Sequence, residues 1–408
     1  KSARKMIGAA GTTRFSLKLY IAVMAFTVLL NGLSWRSTVF CDNYVRYVFP
    51  LWVNTYGRLT GLFPFSVGEG MILAGLVILA AAVIFGATAV ILRIGRRSVP
   101  VWIKRYLRFF AWVFAAVCMI MTLNCFMLYH VSTFAEMYLS GVEDAHNSEE
   151  KGDDTEDNFS LEEFLRMRNR IVARCNKLSG QVERDENGYV LYSDKKADLA
   201  DRARKEMQRL GDTYPRLRGY YPCPKPLYFS DFMCQQYTLG WYFPFSMEAN
   251  YNDVAYVMNL PATMCHELAH LKGFIYEDEA NFIGYLACVE SDDIYFEYSG
   301  YLSVLGYLER DLKEIQKKQP KSYEEAVSEQ GLIELSDVVY QDDVFVTEEE
   351  WQRIESKAIF DTKTVSKASD TFVDTTLKVN GVSDGMVSYS RVVQLMLAYE
   401  RTHGRIVE

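Results

Sequence analysis

What most constrains this chain is where its apolar residues fall: the long apolar runs all end before residue 132. LYIAVMAFTVLLNGLSW fills Leu19–Trp35, MILAGLVILAAAVIFGATAVILRI fills Met71–Ile94, and a third run covers Phe109–Tyr129. A helix needs about 20 mostly apolar residues to cross the hydrocarbon core of a bilayer. The second and third runs meet that length. The first is shorter, but no A-x-A-like cleavage site follows it, so it reads as a retained anchor. Lipid offers no partner for a bare N–H or C=O, so each run must be helical. Ser66-Val67-Gly68-Glu69 has capping-box spacing just ahead of the second run. Residues 1–132 therefore read as a membrane domain with three transmembrane helices, at about 19–35, 71–94 and 109–129.

Positive charge orients those helices. The N-terminal tail carries Lys1, Arg4, Lys5, Arg14 and Lys18, and the loop after the second run carries Arg93, Arg96, Arg97, Lys104, Arg105 and Arg108. The first loop holds only Arg36, Arg46 and Arg58. The positive-inside rule makes the two rich segments cytoplasmic, so the chain beyond Tyr129 lies at the extracellular face of the cytoplasmic membrane. Residues 133–159 read as an acidic linker, with eight acids against Lys151 between Glu143 and Asn158. A net charge of -8 argues against nucleic acid as a partner. Eight cysteines without a CxxC spacing exclude a cysteine-rich zinc ribbon.

Residues 160–408 read as a mostly helical domain with a small sheet, which makes the fold class α+β. Ser160-Leu161-Glu162-Glu163 is a capping box that opens a helix to Lys177, and a second helix covers Asp194–Leu210. Between Tyr220 and Leu260 aromatics and prolines alternate, predicting strands at Leu227–Ser230, Gly240–Ser246 and Asp253–Met258. Helical periodicity then returns at Met264–Lys272, Asp278–Glu290 and Ile294–Lys317, and a last helix is predicted at Ser390–Arg401.

The chemistry concentrates at His266-Glu267-Leu268-Ala269-His270, an HExxH motif. On a helix, residues i and i+4 share a face, so both imidazoles can reach one ion, with Glu267 placed to take a proton from a zinc-bound water. A catalytic zinc keeps three protein ligands and one open position. The segment Glu277-Asp278-Glu279-Ala280-Asn281 offers the third ligand, with Glu277 ranked ahead of Glu279. If Glu277 opens a helix, Ala280, Asn281, Gly284 and Cys288 share its face, small enough for a close approach, and Asn281 can hydrogen-bond a ligand histidine. Gly240, Trp241, Tyr242 and Phe243 are candidates for an edge strand that pairs with extended substrate. Tyr298, Tyr389, Arg391 and His403 are candidate oxyanion donors.

HELAH followed by EDEANF resembles the gluzincin zincins, in which a glutamate in an E-x-x-A-[DN] context completes the site. The chain is most similar to the DUF3810 family of bacterial membrane proteins. The likeness runs through the three spans, Pro64–Glu69, Gly240–Phe245, Cys265–Gly273, Glu277–Tyr285 and Gly385–Arg391. That resemblance implies His266, His270 and Glu277 as ligands of one zinc ion per chain and Glu267 as general base. It implies a zinc metallopeptidase with a peptide or protein substrate. The other reading is a membrane-bound zincin-like sensor or scaffold without turnover.

Overall fold

A computed structural model describes residues 2–139, 159–192, 196–379 and 390–404. The acidic run 143–158 and Tyr389 lie outside those residues. The chain divides into two compact units. One holds Lys1–Phe49, Val67–Val131 and Pro244–Ser246; the other holds Pro50–Ser66, Ser132–Phe243 and Met247–Glu408.

The first unit is built on α1 (Ser2–Ser34), α2 (Val67–Ile94) and α3 (Val101–Asn124). Three windows, Leu17–Ser34, Val67–Ile94 and Val101–His130, are long and apolar enough to cross a membrane. α2 begins at Val67, directly after Ser66. α3 begins eight residues before the apolar run because Pro100, at φ -55°, starts a helix that the basic and aromatic residues 101–108 continue. Helices in lipid associate through packing and scarce polar contacts. Here Asn31 Nδ2 donates to Thr122 Oγ1 at 2.7 Å between α1 and α3. Between α3 and α2, Tyr106 donates to the Ile78 carbonyl at 2.7 Å, and Phe85 meets Trp102 and Tyr106 edge-on. The turn Pro244–Ser246 also belongs here, with Asn124 Nδ2 donating to the Pro244 carbonyl at 2.9 Å.

The second unit comprises α4 (Leu161–Ser179), α5 (Lys196–Thr213), β1 (Lys225–Leu227), β2 (Gly240–Phe243), β3 (Glu248–Asn252), α6 (Leu260–His270), α7 (Glu277–Val289) and α8 (Ile294–Lys318). Shorter helices follow, and α9 (Ser390–His403) closes the fold. The Ser160 capping box forms as its sequence implies. Two assignments from sequence are corrected. The segment 133–138 is not linker: Thr133 caps the short helix Phe134–Tyr138, whose Phe134 is fully buried against Tyr138, Tyr214, Phe274 and Phe282. Pro50–Ser66, placed by sequence in the membrane domain, groups with this unit.

The sheet runs β1-β3-β2, with β1 parallel and β2 antiparallel to the central β3. β2 falls within the predicted strand Gly240–Ser246, whereas β1 shares only Leu227 with the predicted Leu227–Ser230, whose remainder is turn and the start of the short helix Ser230–Gln235. The third strand is Glu248–Asn252, whereas Asp253–Met258 is turn leading into a 3-10 helix. Polar residues hide β3 in the sequence, because each finds an internal partner. Glu248 pairs with Lys225 at 2.5 Å, Asn250 donates to the Trp241 carbonyl, and Asn252 donates to the Thr238 carbonyl. Burying such groups is tolerable only when they are so satisfied.

α6 and α7 form an antiparallel hairpin whose closeness depends on Gly284. A Cβ there would lie 2.9 Å from the Ala262 carbonyl and 3.2 Å from the His266 amide. Gly284→Ala must therefore part the helices, at about 1–3 kcal/mol for an overpacked contact. The expected result is a drop of roughly 3–10 °C in the thermal unfolding midpoint in detergent. An unchanged midpoint would mean the helices separate without cost.

Candidate metal centre

α6 is started by Pro261, which supplies the fixed φ of the first turn, while the N-cap residue Asn259 donates its side chain to the distant Val344 and Phe345 carbonyls at 2.8 and 3.1 Å instead of capping the helix. The helix ends at His270, and Gly273, at φ +83°, turns the chain in a conformation that favours glycine. Only residues 271–276 separate His270 from Glu277, the first residue of α7. That turn suffices to bring Glu277 back over the end of α6.

His266, His270 and Glu277 each offer one ligand atom, all within 4.8 Å of one another. The two Nε2 atoms are 3.1 Å apart, and the Glu277 carboxylate lies 3.1 Å from His266 Nε2 and 3.7 Å from His270 Nε2. The other ring nitrogens fix the tautomers. His270 Nδ1 is 2.7 Å from the Phe274 carbonyl, which can only accept, so Nδ1 carries the proton and Nε2 the lone pair. His266 Nδ1 lies 2.8 Å from Asn281 Oδ1, and Asn281 Nδ2 donates to the Tyr307 hydroxyl at 3.0 Å, which leaves Oδ1 as acceptor. With both rings neutral, two imidazole lone pairs would point at each other, an arrangement relieved by a proton on His266 Nε2 or by a metal ion between the rings. Two nitrogens bound tetrahedrally to one zinc would be about 3.3 Å apart, given bonds of about 2.05 Å. The donor set thus fits a metal ion.

The electrostatics agree. Burial works against a charge on His266, but the hydrogen bond and charge of Glu277 outweigh it and push the imidazole up to about 9. Burial pushes His270 down to about 4. The His266 hydrogen bond and charge hold the exposed Glu277 carboxylate well below its usual range. The cluster is built to hold one positive charge, which a metal ion can supply in place of a proton.

Glu267 is buried, 5% exposed, with Oε1 4.0 Å from His266 Nε2, and no group among the described residues hydrogen-bonds Oε2. Burial pushes its carboxyl up to about 8, opposed by His266 and by the Tyr242 backbone N–H. β2, at the sheet edge, passes over it: a Cβ on Gly240 would lie 2.5 Å from Glu267 Oε1. Trp241 is 40% exposed, Tyr242 and Phe243 are buried, and the Tyr242 ring lies 5.8 Å from that of His270.

Three of the four predicted oxyanion donors have partners outside this cluster. Tyr298 is fully buried and donates to Asp342 Oδ2 at 2.7 Å. Arg391 pairs with Asp278 at 3.1 Å, tying α9 to α7. His403 is exposed at the end of α9, with Nδ1 2.9 Å from the Tyr399 carbonyl. Tyr389 lies outside the described residues. Glu279, the second-ranked ligand, points away; it is buried and accepts from the Phe134 N–H. Two supporting groups had no legible signal: the Phe274 carbonyl, which is main chain, and Tyr307, one of 27 tyrosines.

The family described as "Protein of unknown function (DUF3810)" matches residues 44–397. The chain belongs to the DUF3810 family. The match takes in α2, α3, the whole sheet and the α6–α7 hairpin. No curated protein and no solved structure matches the chain.

If the hairpin holds an ion, elemental analysis of the purified protein should find about one divalent metal per chain. Glu277→Ala should lose most of it, and Asn281→Ala should weaken binding by about 10–100-fold through the misplaced His266 ring. Metal content unaffected by Glu277→Ala would remove that carboxylate from the donor set.

Proposed function

We propose that this chain is a zinc-dependent peptidase working at the outer face of the membrane, with Glu267 as its general base. The observation that carries the reading is the buried Glu267 carboxylate. One oxygen lacks a partner, and the group stands beside a donor set that leaves a coordination position free. A protein that only held the ion would have no use for such a group, because a buried unpaired acceptor destabilises the fold. This argues against a non-catalytic sensor or scaffold.

Zinc bound by His266, His270 and Glu277 would act as a Lewis acid on the scissile carbonyl and lower the pKa of water. The chain's own residues would do the rest. Glu267 accepts the proton of the attacking water and returns it to the leaving amine. Asn281 and the Phe274 carbonyl keep the two rings turned so that Nε2 faces inward. Gly240, without a side chain, lets β2 lie close over Glu267, and the strand's outer edge offers main-chain groups to an extended peptide. The outer-face location follows from the basic N-terminal tail and second loop.

Glu267→Gln separates binding from turnover. The full chain in detergent, loaded with zinc and offered a peptide library, should cleave it. The variant should keep about one zinc and lose about 10²–10⁴-fold in rate. Equal turnover by the variant, or none by a zinc-loaded wild type, would overturn the proposal.

A further inference from the structure

The chain between α1 and α2 is more than a loop. Pro50–Ser66 folds with the metal-bearing unit through the short helix Phe49–Trp52, a π turn at Val53–Gly57 and a last turn at Arg58–Thr60. Its inner side is held by specific contacts. A Cβ on Gly57 would lie 3.4 Å from the Met247 carbonyl, and the Arg58 guanidinium sits 3.9 Å over the Tyr220 ring. The buried Lys225 ammonium spends its three protons on the Thr60 carbonyl at 2.7 Å, the Phe65 carbonyl at 3.1 Å and Glu248 at 2.5 Å. Lys225 and Glu248 belong to β1 and β3, so the segment is bolted to the sheet.

Its outer side is apolar. Leu51, Leu59, Leu62, Phe63 and Phe65 are all exposed, Leu62 at 77%. Single exposed leucines are ordinary, but five large apolar side chains on one short segment call for a partner. Chain continuity says which. Phe65 is two residues from Val67, where the 28-residue apolar helix α2 begins. A segment joined that closely to hydrocarbon lies at the bilayer interface, where leucine and phenylalanine partition into the acyl boundary.

We propose that Pro50–Ser66 is a lipid-inserted foot of the metal-bearing unit, so that this unit rests on the bilayer as well as being tethered to it. The sheet that Lys225 fastens to the foot also carries β2 over Glu267. A consequence, which rests on the peptidase reading, is that the substrates are peptide segments attached to or lying on the membrane.

Full-length protein with Cys223→Ser and Leu62→Cys, labelled with an environment-sensitive fluorophore, is placed in phosphatidylcholine nanodiscs containing doxyl-labelled lipid. Tyr228→Cys, at a position 88% exposed, is the comparison, and the labelled Cys223→Ser parent is the blank. The Leu62 probe should be blue-shifted and quenched by the doxyl lipid, and the Tyr228 probe should respond only to aqueous iodide. A Leu62 probe that behaves like the Tyr228 probe overturns the proposal. So does one shielded from both quenchers, since protein would then cover the foot. Leu62→Asp with Phe65→Asp should reduce cleavage of a lipid-tethered peptide by about tenfold, through lost effective concentration, and leave the same peptide in solution cleaved within about twofold. Equal loss on both peptides overturns the substrate assignment. Absence of any peptide cleavage overturns the peptidase reading alone, and the quenching result stands apart from it.

Discussion

The arrangement at the metal centre depends on how closely α6 and α7 approach. Gly284 lets the Ala262 carbonyl and His266 amide come to within contact of α7, and the rest follows from that distance. Asn281, one turn earlier on the same face, is then within 2.8 Å of His266 Nδ1. Glu277, at the start of the same helix, reaches both Nε2 atoms. A side chain at position 284 would separate donors that need to lie within one coordination sphere. Nearer the C-terminal end of α7, α8 makes a similar approach: a Cβ on Gly300 would lie 2.7 Å from Cys288 Cβ. The second helix of the hairpin thus meets its neighbours at two glycine contacts.

Around that hairpin the polar groups are arranged to orient rather than merely to fill. Each ligand histidine gives its Nδ1 proton to a fixed acceptor, and one of those acceptors is itself fixed by Tyr307. Glu279, two residues past the start of α7, instead ties α7 to the short helix that follows the third span. Two carboxylates two residues apart point in different directions because successive helical positions differ by about 100°. The same geometry sends Asp278 towards Arg391.

Much of this was readable from sequence, for identifiable reasons. Apolar runs of spanning length admit one backbone solution, so the three long apolar helices were legible, although the first begins at Ser2 and the third at Val101, ahead of their apolar runs, because helix continues through the polar flanks. His266, Glu267 and His270 were legible because the motif needs only helical periodicity. Glu277 and Asn281 were reached by adding the coordination requirement to the small-residue face. The central strand was not, because Glu248, Asn250 and Asn252 are satisfied by partners distant in sequence, and alternation sees only polarity. Two of the oxyanion candidates have other partners for a related reason: a tyrosine or arginine in a helical domain has many possible partners, and Asp342 and Asp278 pair with Tyr298 and Arg391. Pro50–Ser66 looked like a plain loop because its fastening point, Lys225, lies far along the chain.

All three donors fall within twelve consecutive residues, 266–277, around the single turn at Gly273. Closing so short a loop costs little chain entropy compared with recruiting a ligand from a distant element. The candidate chelating segment is therefore nearly self-contained: it could gather an ion as soon as α6 and α7 have folded against each other, while α8 and α9 are still being made. An ion captured at that stage would pin the hairpin and give the later helices a finished surface to pack on. Metal supply would then bear on how the protein matures as well as on what the mature protein does.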